Sequence, residues 1–515
     1  MSDRPNLLIV MADQLTAGAL PAYGGSVART PHIDRLAAEG VVFDSFYCNS
    51  PLCAPSRFSF SAGQLPTKIG AYDNAAEFAA SVPTFAHYAR NAGYQTALAG
   101  KMHFCGPDQL HGYEERLTTD IYPADFGWTP DWTRFQERPG WYHTMESVTQ
   151  AGPCTRTNQI DFDDEVVSAT RQKLFDLARS RDRRPFCLVA SLTHPHDPYV
   201  VPETYWNRYS DNEIDMPRVG DLSGHEDPHS TRVRHVIGLG LATPTPAQVR
   251  AARRAYYGAV SYVDDQVGSL VNTLREARFA DNTIVILLAD HGDMLGERGL
   301  WYKMSFFEPA CRIPLIVHAP GRFKPHRVRE HASLVDLLPT IAEIAHGSTP
   351  TYAAALDGRS LLPALQGLGP GPGEVLGEYC AEGAIAPIVM IRRGRYKFVH
   401  SPADPDQLYD LTVDPTERIN LATAEPSSAS KPLSSDTTAL LSEFRAEVAR
   451  HWTLAALHGA VLASQRQRHL VYAALRKGRH QPWDFQPRRD ASRQYIRNDR
   501  ELNDLESEAR FPRPG

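Results

Sequence analysis

The chain has 515 residues, of which 42% are hydrophobic and 22% charged, so its composition is that of a globular protein long enough for more than one domain. Its net charge of -6 excludes the basic surface of a general nucleic-acid binder, and an anionic substrate therefore has to be bound by local positive charge. Seven cysteines are few and odd in number for this length, which argues against a disulfide framework and favours a reducing, cytoplasmic setting.

The first apolar run, residues 7–11, predicts a fully buried strand of a parallel sheet. It is too short for a signal sequence or a membrane span, and no other apolar stretch is long enough to cross a bilayer, so no membrane partner is expected. Asp13 comes at the carboxyl end of this strand, the edge at which α/β sheets bind ligands. It is therefore a metal or substrate ligand, or else a cap of the next element.

Residues 50–57 place a cysteine, a proline and an arginine in the order Cys53, Pro55, Arg57. Proline is tolerated in the first turn of a helix, where its missing N–H costs nothing. If a helix begins here, the i,i+4 spacing puts Cys53 and Arg57 on one face, beside the positive end of the helix dipole. The pattern indicates an anion site with a reactive cysteine, or alternatively a small buried hydrophobic residue.

Residues 32–40 and 84–93 predict helices that end at glycine, and residues 41–43 and 94–99 predict strands. The second strand leads into Lys101 and His103, which either face one cleft or are a surface lysine beside a core histidine. Residues 104–152 are rich in Trp, Tyr, Pro and Asp. Because aromatic faces attract cations, this loop is predicted either to wall a pocket or to form a satellite hydrophobic cluster.

Further along, residues 164–180 predict a helix and residues 185–192 a buried strand that leads into His194 and His196. Residues 207–248 predict an irregular insertion, and residues 246–278 a long helix. A core strand over residues 283–289 is followed directly by Asp290 and His291, a pair that suits a divalent metal ion. Lys303 comes soon after, and residues 313–317 predict another strand.

The chain becomes rich in Gly and Pro at residues 367–373, which predicts a linker. Beyond it, residues 387–400 and 408–411 predict antiparallel strands, residues 426–435 a loose Ser/Pro segment, residues 437–476 a helix, and the end from 481 an irregular tail. We therefore predict an α/β fold in which a large, mostly parallel central sheet is flanked by helices. The predicted parts are a large domain over 1–372, a smaller α+β part over 373–450, and a helical segment with an extended tail over 451–515.

Taken in order, these motifs resemble those of the sulfatase family along nearly the whole chain. Cys53 and Arg57 match the family's C-x-P-x-R signature, whose cysteine is oxidised to formylglycine, an aldehyde. The residues that resemble the family's metal ligands are Asp13, Cys53, Asp290 and His291. Those that resemble its other catalytic residues are Arg57, Lys101, His103, His196 and Lys303.

The resemblance implies an alkaline-phosphatase-like fold, a sulfuric ester hydrolase, and a formylglycine-generating enzyme as maturation partner. The metal is expected to be Ca²⁺, because the ligands are rich in oxygen, with Mg²⁺ or Mn²⁺ as alternatives. The hydrated aldehyde would attack sulfur, while Arg57, Lys101 and Lys303 hold the negative charge. His196 or Lys303 would supply the acid for the leaving oxygen, and His103 the base; this assignment stays open.

Within the family, several segments are similar to the choline sulfatases, namely residues 63–66, 72–77, 101–104, 107–112 and 118–128, and in the tail Pro482, Trp483, Asp484, Arg497 and Asn498. This implies a small-molecule sulfate ester whose quaternary ammonium group is held by Asn74, Trp128, His143 and the tail residues Asn503 and Asp504. Such a tail could come from a neighbouring subunit, which implies a homo-oligomer, a dimer or a tetramer.

Two positions depart from the family pattern. Gln14 follows Asp13 where many sulfatases have a second acid, although choline sulfatases share this glutamine. Asn503 stands where the subgroup has an aspartate, with Asp504 next to it. Two other functions remain open: a phosphate or phosphonate monoester hydrolase of the same superfamily, and a binding protein with an unmodified Cys53.

Overall fold

The computed structural model describes residues 4–222, 226–423, 434–478, 496–497 and 500–512. The predicted tail residues Pro482, Trp483, Asp484 and Asn498 lie outside these ranges, as does the Ser/Pro segment from 426 to 433.

Most strands belong to the larger part of the molecule. In chain order they are β1 (Asn6–Ala12), β2 (Val41–Phe43), β3 (Phe46–Tyr47), β4 (Gln95–Gly100), β5 (Glu115–Arg116), β6 (Gly152–Cys154), β7 (Phe186–Leu192), β8 (Val200–Pro202), β9 (Thr283–Ala289), β10 (Arg312–Ile313), β11 (Leu315–His318), β12 (His326–Val328) and β13 (Ala332–Ser333).

Eight of these strands form the central sheet, in the order β12-β2-β11-β9-β1-β7-β4-β5. Strand β1 pairs in parallel with both β7 and β9, and β4 pairs in parallel with β7, whereas β11 runs antiparallel to β9 and β2. Every residue of β1 is buried, as expected for a continuous apolar run covered on both faces. Because β1, β4, β7 and β9 are parallel, their carboxyl ends meet at one edge of the sheet.

The helices are α1 (Pro31–Glu39), α2 (Cys53–Ala62), α3 (Phe85–Asn91), α4 (Glu146–Thr149), α5 (Asn158–Arg179), α6 (Glu203–Trp206), α7 (Pro228–Val236), α8 (Pro246–Glu276), α9 (Glu308–Cys311), α10 (Leu337–His346), α11 (Leu362–Leu365), α12 (Ser435–His451), α13 (Leu454–Leu475) and α14 (Leu502–Ala509). Helix α8 contacts α1 and α5, and α5 packs on β4 and β7. A second group, α2, α3 and α10, packs together, and α3 also contacts β4. The predicted sheet with flanking helices is therefore confirmed.

A smaller antiparallel sheet follows in the order β14 (Glu374–Tyr379), β15 (Ile388–Arg393), β16 (Tyr396–Ser401), β17 (Asp404–Asp410). It packs with α12 around a separate core that includes Ile391, Phe398, Phe444 and Trp452. The smaller α+β part is thus present, while the division of the chain at 372 and 450 stays a prediction.

The structure corrects five predicted elements. The insertion over 207–248 contains α7, whose first turn is capped by Asp227 and has Pro228 at its start. Helix α5 begins earlier than residue 164, because Thr157 accepts a hydrogen bond from the Ile160 amide. The predicted helix over 437–476 is two helices, α12 and α13, and the predicted strand over 313–317 is two strands, β10 and β11. The tail predicted to be irregular contains α14.

Candidate active site

The carboxyl ends of β1 and β9 and the start of α2 bring the four predicted metal ligands together. Ligand atoms of Asp13, Cys53, Asp290 and His291 all lie within 4.8 Å of one another, and all four side chains are buried. Nε2 of His291 is 3.6 Å from Oδ1 of Asp13, 3.7 Å from Oδ2 of Asp290 and 3.2 Å from the Cys53 sulfur. The other ring nitrogen of His291 contacts the Gly292 carbonyl, which fixes the ring orientation. Two carboxylates and an imidazole are a donor set that fits a hard divalent cation.

Helix α2 begins at Cys53, as the proline pattern predicted. Four residues later, Arg57 is fully buried, and its Nε donates to Oδ2 of Asp290 at 2.8 Å. Another guanidinium nitrogen donates to the hydroxyl of Ser191 at the end of β7. Arg57 therefore braces the ligand cluster, and it is not among the residues that line the neighbouring cavity.

Strand β4 delivers Lys101 to the same cluster, where its ammonium donates to Asp13 and lies 3.6 Å from the Cys53 sulfur. The preceding Gly100 has a φ of 96°, and a Cβ there would be 1.9 Å from the Ser191 carbonyl oxygen. Glycine is thus required for Lys101 to leave the strand in this direction. Burial opposes ionisation of Asp13, but the neighbouring charges, chiefly those of Lys101 and Arg57, outweigh it and hold the pKa of Asp13 well below its usual range.

His103 is also buried beside Cys53. Burial lowers the pKa of His103, and Cys53 partly offsets this effect. The backbone amides of Met102 and His103 both donate to Oδ2 of Asp120, which also accepts from Arg116. This buried carboxylate fixes the turn that carries His103.

Lys303 and His196 form a pair on the other side of Cys53. Nζ of Lys303 is 2.7 Å from Nε2 of His196 and 2.6 Å from Oε1 of Gln14. The amide nitrogen of Gln14 in turn donates to Oδ2 of Asp293 at 2.7 Å, so its orientation is fixed. The second histidine of this strand end, His194, is instead bound to Asp163.

A cavity of about 280 Å³ opens from the Cys53 side of this cluster. Its wall includes three predicted recognition residues, Asn74, Trp128 and His143. Trp128 stacks with Trp141 at a centroid distance of 6.2 Å, and Nδ1 of His143 lies 3.3 Å from Asp197. The aromatic loop therefore walls a pocket, as one of its two interpretations predicted.

The tail reaches the same cavity through α14 of the same chain. Asn503 lines the cavity, and its amide contacts the Gly140 carbonyl at 3.3 Å. Asp504 is exposed and is not a lining residue, and its backbone amide donates to Glu501 at the start of α14. Glu506, three residues after Asn503, lines the cavity instead.

Four acidic residues line the cavity, Glu146, Asp197, Glu382 and Glu506, and none of them was predicted as a site residue from the sequence. Two of them, Glu382 and Glu506, share a further property. Each has one buried oxygen without a hydrogen-bond partner among the described residues. Burial raises the pKa of both side chains to about 7. Neither residue belongs to a recognisable motif, because Glu382 lies in a turn after β14 and Glu506 in a polar helix. The only signal in the sequence was the expectation that an acidic residue near Asn503 contributes to the site.

In the part of the chain that the structure describes, every helix is too short or too polar to cross a membrane.

Comparison with known proteins places these features in a family. The family model described as Sulfatase matches residues 5–348, and the model described as Choline sulfatase enzyme C terminal matches residues 459–511. A choline-sulfatase of Rhizobium meliloti (strain 1021) is 47% identical over 515 residues, covering 99% of each chain. An arylsulfatase of Clostridium perfringens (strain 13 / Type A) is 26% identical over 445 residues, covering 82% of this chain and 91% of its own.

Among solved structures, the phosphonate monoester hydrolase of Agrobacterium radiobacter superposes with a TM-score of 0.69 at 23% identity, covering 88% of this chain and 96% of its own. At this identity the likeness concerns the fold alone. The full-length sequence match and the family model together establish that the chain belongs to the sulfatase family.

Proposed function

We propose that the protein hydrolyses choline sulfate to choline and sulfate. The observation that carries this proposal is the cavity, which is lined by Cys53 and Lys303 and also by indole faces and several acidic side chains. An ester with an anionic sulfate and a cationic ammonium group matches this distribution of charge. The 47% identity to a choline-sulfatase supports the same substrate.

The proposal includes oxidation of Cys53 to formylglycine by a formylglycine-generating enzyme. The hydrated aldehyde supplies the hydroxyl that attacks sulfur and allows sulfate to be released afterwards. Asp13, residue 53, Asp290 and His291 would hold the metal ion, for which we propose Ca²⁺ because of the oxygen ligands. The metal ion supplies positive charge next to the nucleophile and the sulfate group.

Lys303 and His196 are proposed to serve the leaving oxygen, because both line the cavity next to Cys53. Burial and the neighbouring Lys303 lower the pKa of His196 well below its ordinary value. For Lys303 burial is outweighed by the surrounding negative charges, which raise its pKa; Cys53 is the largest of them in the unmodified chain, and Asp197 and Asp13 remain after its oxidation. The proton shared by the pair thus belongs to Lys303, which makes Lys303 the proposed acid.

Two further cationic side chains, Lys101 and Arg57, are proposed to stabilise the reacting centre, and His103 is proposed to act as a base. Lys101 is proposed to balance the charge of Asp13 and of the group at position 53, to which it is adjacent. Arg57 keeps Asp290 in place. His103, neutral because burial lowers its pKa, is the proposed base for release of sulfate.

The ammonium group is proposed to bind against Trp128 and Trp141, whose π faces attract a cation. Asn74 and His143 complete this wall, and Glu382 and Glu506 provide negative charge. Asn503 also lines the cavity but carries no charge. Glu506 is therefore proposed to supply the negative charge that the tail was expected to provide through Asp504. A cytoplasmic location and assembly into a dimer or tetramer remain part of the proposal.

The test compares four substrates with the purified protein: choline sulfate, its isostere without the ammonium charge, 3,3-dimethylbutyl sulfate, 4-nitrophenyl sulfate and an aryl phosphonate monoester. We expect the highest kcat/KM for choline sulfate and a clear preference over the isostere, since only the former carries the ammonium charge. A higher kcat/KM for the phosphonate would favour the phosphonate hydrolase alternative. A mass for the Cys53 peptide that corresponds only to the thiol, in active protein, would contradict the proposed nucleophile.

A further inference from the structure

Helix α13 has an unusual distribution of polarity. Its buried residues are Val461, Gln465 and Arg468, spaced four and three positions apart on one face, whereas Leu470 is 73% exposed. A buried charge is unfavourable unless it is paired and hydrogen-bonded. The polar side of this helix therefore has to be matched by specific partners in the body of the protein.

The partner of Arg468 is Asp73, which is completely buried. The guanidinium binds both carboxylate oxygens, at 2.6 and 2.7 Å, the two-point geometry that fixes orientation as well as distance. The same guanidinium donates to the hydroxyl of Thr129 at 3.2 Å, and its Nε donates to Ser464. Arg468 thus joins α13 to two segments that are far apart in the sequence.

Both segments carry walls of the cavity. Asp73 precedes Asn74, whose side chain lines the cavity and accepts from the amide of Ala54 in the first turn of α2. Thr129 follows Trp128, and its hydroxyl closes the turn by donating to the Phe126 carbonyl at 2.8 Å. Arg468 therefore binds the sequence neighbours of two cavity-lining residues, Asn74 and Trp128.

The next buried residue of α13 supports a third wall. The side-chain oxygen of Gln465 accepts from the Trp132 amide at 3.0 Å. The Trp132 indole then donates to the carbonyl of Ala381, directly before Glu382. One face of a single helix is thus connected to the segments of Asn74, Trp128 and Glu382.

We infer that Arg468 is a positioning residue that determines selectivity for the cationic leaving group, although it does not touch the cavity itself. Its bonds hold the aromatic and amide walls at the spacing that a quaternary ammonium group requires. The inference rests on the proposed function, because it concerns the recognition of that group. It does not involve Asp13, Asp290 and His291 of the metal-ligand cluster, which follow strands β1 and β9 of the central sheet.

The experiment measures kcat/KM of the full-length protein for choline sulfate, 3,3-dimethylbutyl sulfate and 4-nitrophenyl sulfate. In Arg468→Met we expect the preference for choline sulfate over the isostere to fall about 10- to 100-fold, the scale of effect of a misplaced binding group. Activity on 4-nitrophenyl sulfate should change far less. Arg466→Met is the matched control, since Arg466 is an exposed arginine on the same helix, and it should leave all three values unchanged.

Arg468→Lys keeps the buried charge but not the two-point geometry, and it should restore part of the preference. If Arg468→Met does not fold, the inference is tested by the preference of Arg468→Lys for choline sulfate over the isostere. An equal loss on all three substrates, or an unchanged preference in a folded variant, would overturn the inference while leaving the proposed function intact. A wild-type protein without any preference for choline sulfate over the isostere would overturn both.

Discussion

Nζ of Lys303 lies 2.7 Å from Nε2 of His196, and the two side chains occupy the same edge of the cavity. Their opposite pKa shifts place the proton on Lys303 and leave His196 as the acceptor. Such a pair can donate a proton to a departing oxygen without first acquiring one from solvent.

Replacement of Lys303 should therefore depend on the leaving group. In Lys303→Met we expect kcat for choline sulfate to fall by roughly 10²- to 10⁴-fold, the usual contribution of a general acid, because an alkoxide leaves poorly without a proton. The loss on 4-nitrophenyl sulfate should be much smaller, since nitrophenolate needs no proton. Equal losses on both substrates would assign Lys303 to sulfate binding instead.

The carboxyl groups of the cavity predict a pH dependence of selectivity. Because the pKa of Glu382 and that of Glu506 are raised to about 7, both groups lose their negative charge as the pH falls from 8 to 6. The ratio of kcat/KM for choline sulfate to that for 3,3-dimethylbutyl sulfate should fall over the same range, by up to about tenfold per pH unit below the pKa of a single group. Glu382→Gln should lower the ratio at pH 8 and flatten the profile, whereas the exposed Glu276→Gln should not. A pH-independent ratio in the wild-type protein would contradict the assignment.

Removal of the metal ion should destabilise the protein as well as inactivate it. A ligand present at 100 times its dissociation constant stabilises the folded state by about 2.7 kcal/mol, so a chelator should lower the melting temperature measurably. Asp290→Asn removes a proposed ligand and should make the melting temperature insensitive to the chelator. Persistence of the full shift in this variant would place the ion elsewhere.

Gly100 offers a test of how the sheet positions Lys101. A Cβ at position 100 would collide with the Ser191 carbonyl, and the backbone there has a positive φ. Gly100→Ala should therefore cost about 2–5 kcal/mol in the free energy of unfolding. Gly70→Ala is the control, because its φ is 71° but its Cβ would have nothing within 4 Å. That variant should lose only about 1 kcal/mol of backbone strain. Equal losses in chemical denaturation would contradict the predicted close approach.

The tail can be tested by deletion of the residues after 479, which removes α14 and Glu506. We expect the truncated protein to keep activity on 4-nitrophenyl sulfate and to lose its preference for choline sulfate. Glu506→Gln separates the charge from the rest of the tail and should reproduce part of this loss. Full activity of the truncated protein on choline sulfate would exclude the tail from recognition.

The reacting centre was predictable because its residues follow apolar strands. Asp13, Asp290 and His291 each come directly after a run of hydrophobic residues, and parallel strands bring their carboxyl ends together. Lys101 and Cys53 belong to short motifs with a local structural meaning, a turn at glycine and the start of a helix. The structure brings all of these residues together.

The wall of the cavity was less predictable, for a physical reason. The residue before Glu382 accepts a hydrogen bond from the Trp132 indole, and the partner of buried Arg468 is Asp73, which is 395 positions away in the sequence. No local sequence pattern indicates which distant residues will be the partners of these side chains. In α13 the apolar residues point partly to solvent, so the usual relation between hydrophobic periodicity and the buried face does not hold.

The bracing of the cavity by α13 also separates two tasks that one active site has to combine. The parallel strands and the start of α2 hold the metal-ligand cluster and the residue at position 53, while loops and a C-terminal helix hold the groups that distinguish one alcohol from another. Substitutions along the inner face of this helix can thus redirect the enzyme toward other esters without altering the chemistry of bond cleavage. In an evolving lineage, new substrates would be acquired by changing the end of the chain that lies farthest, in sequence, from the nucleophile.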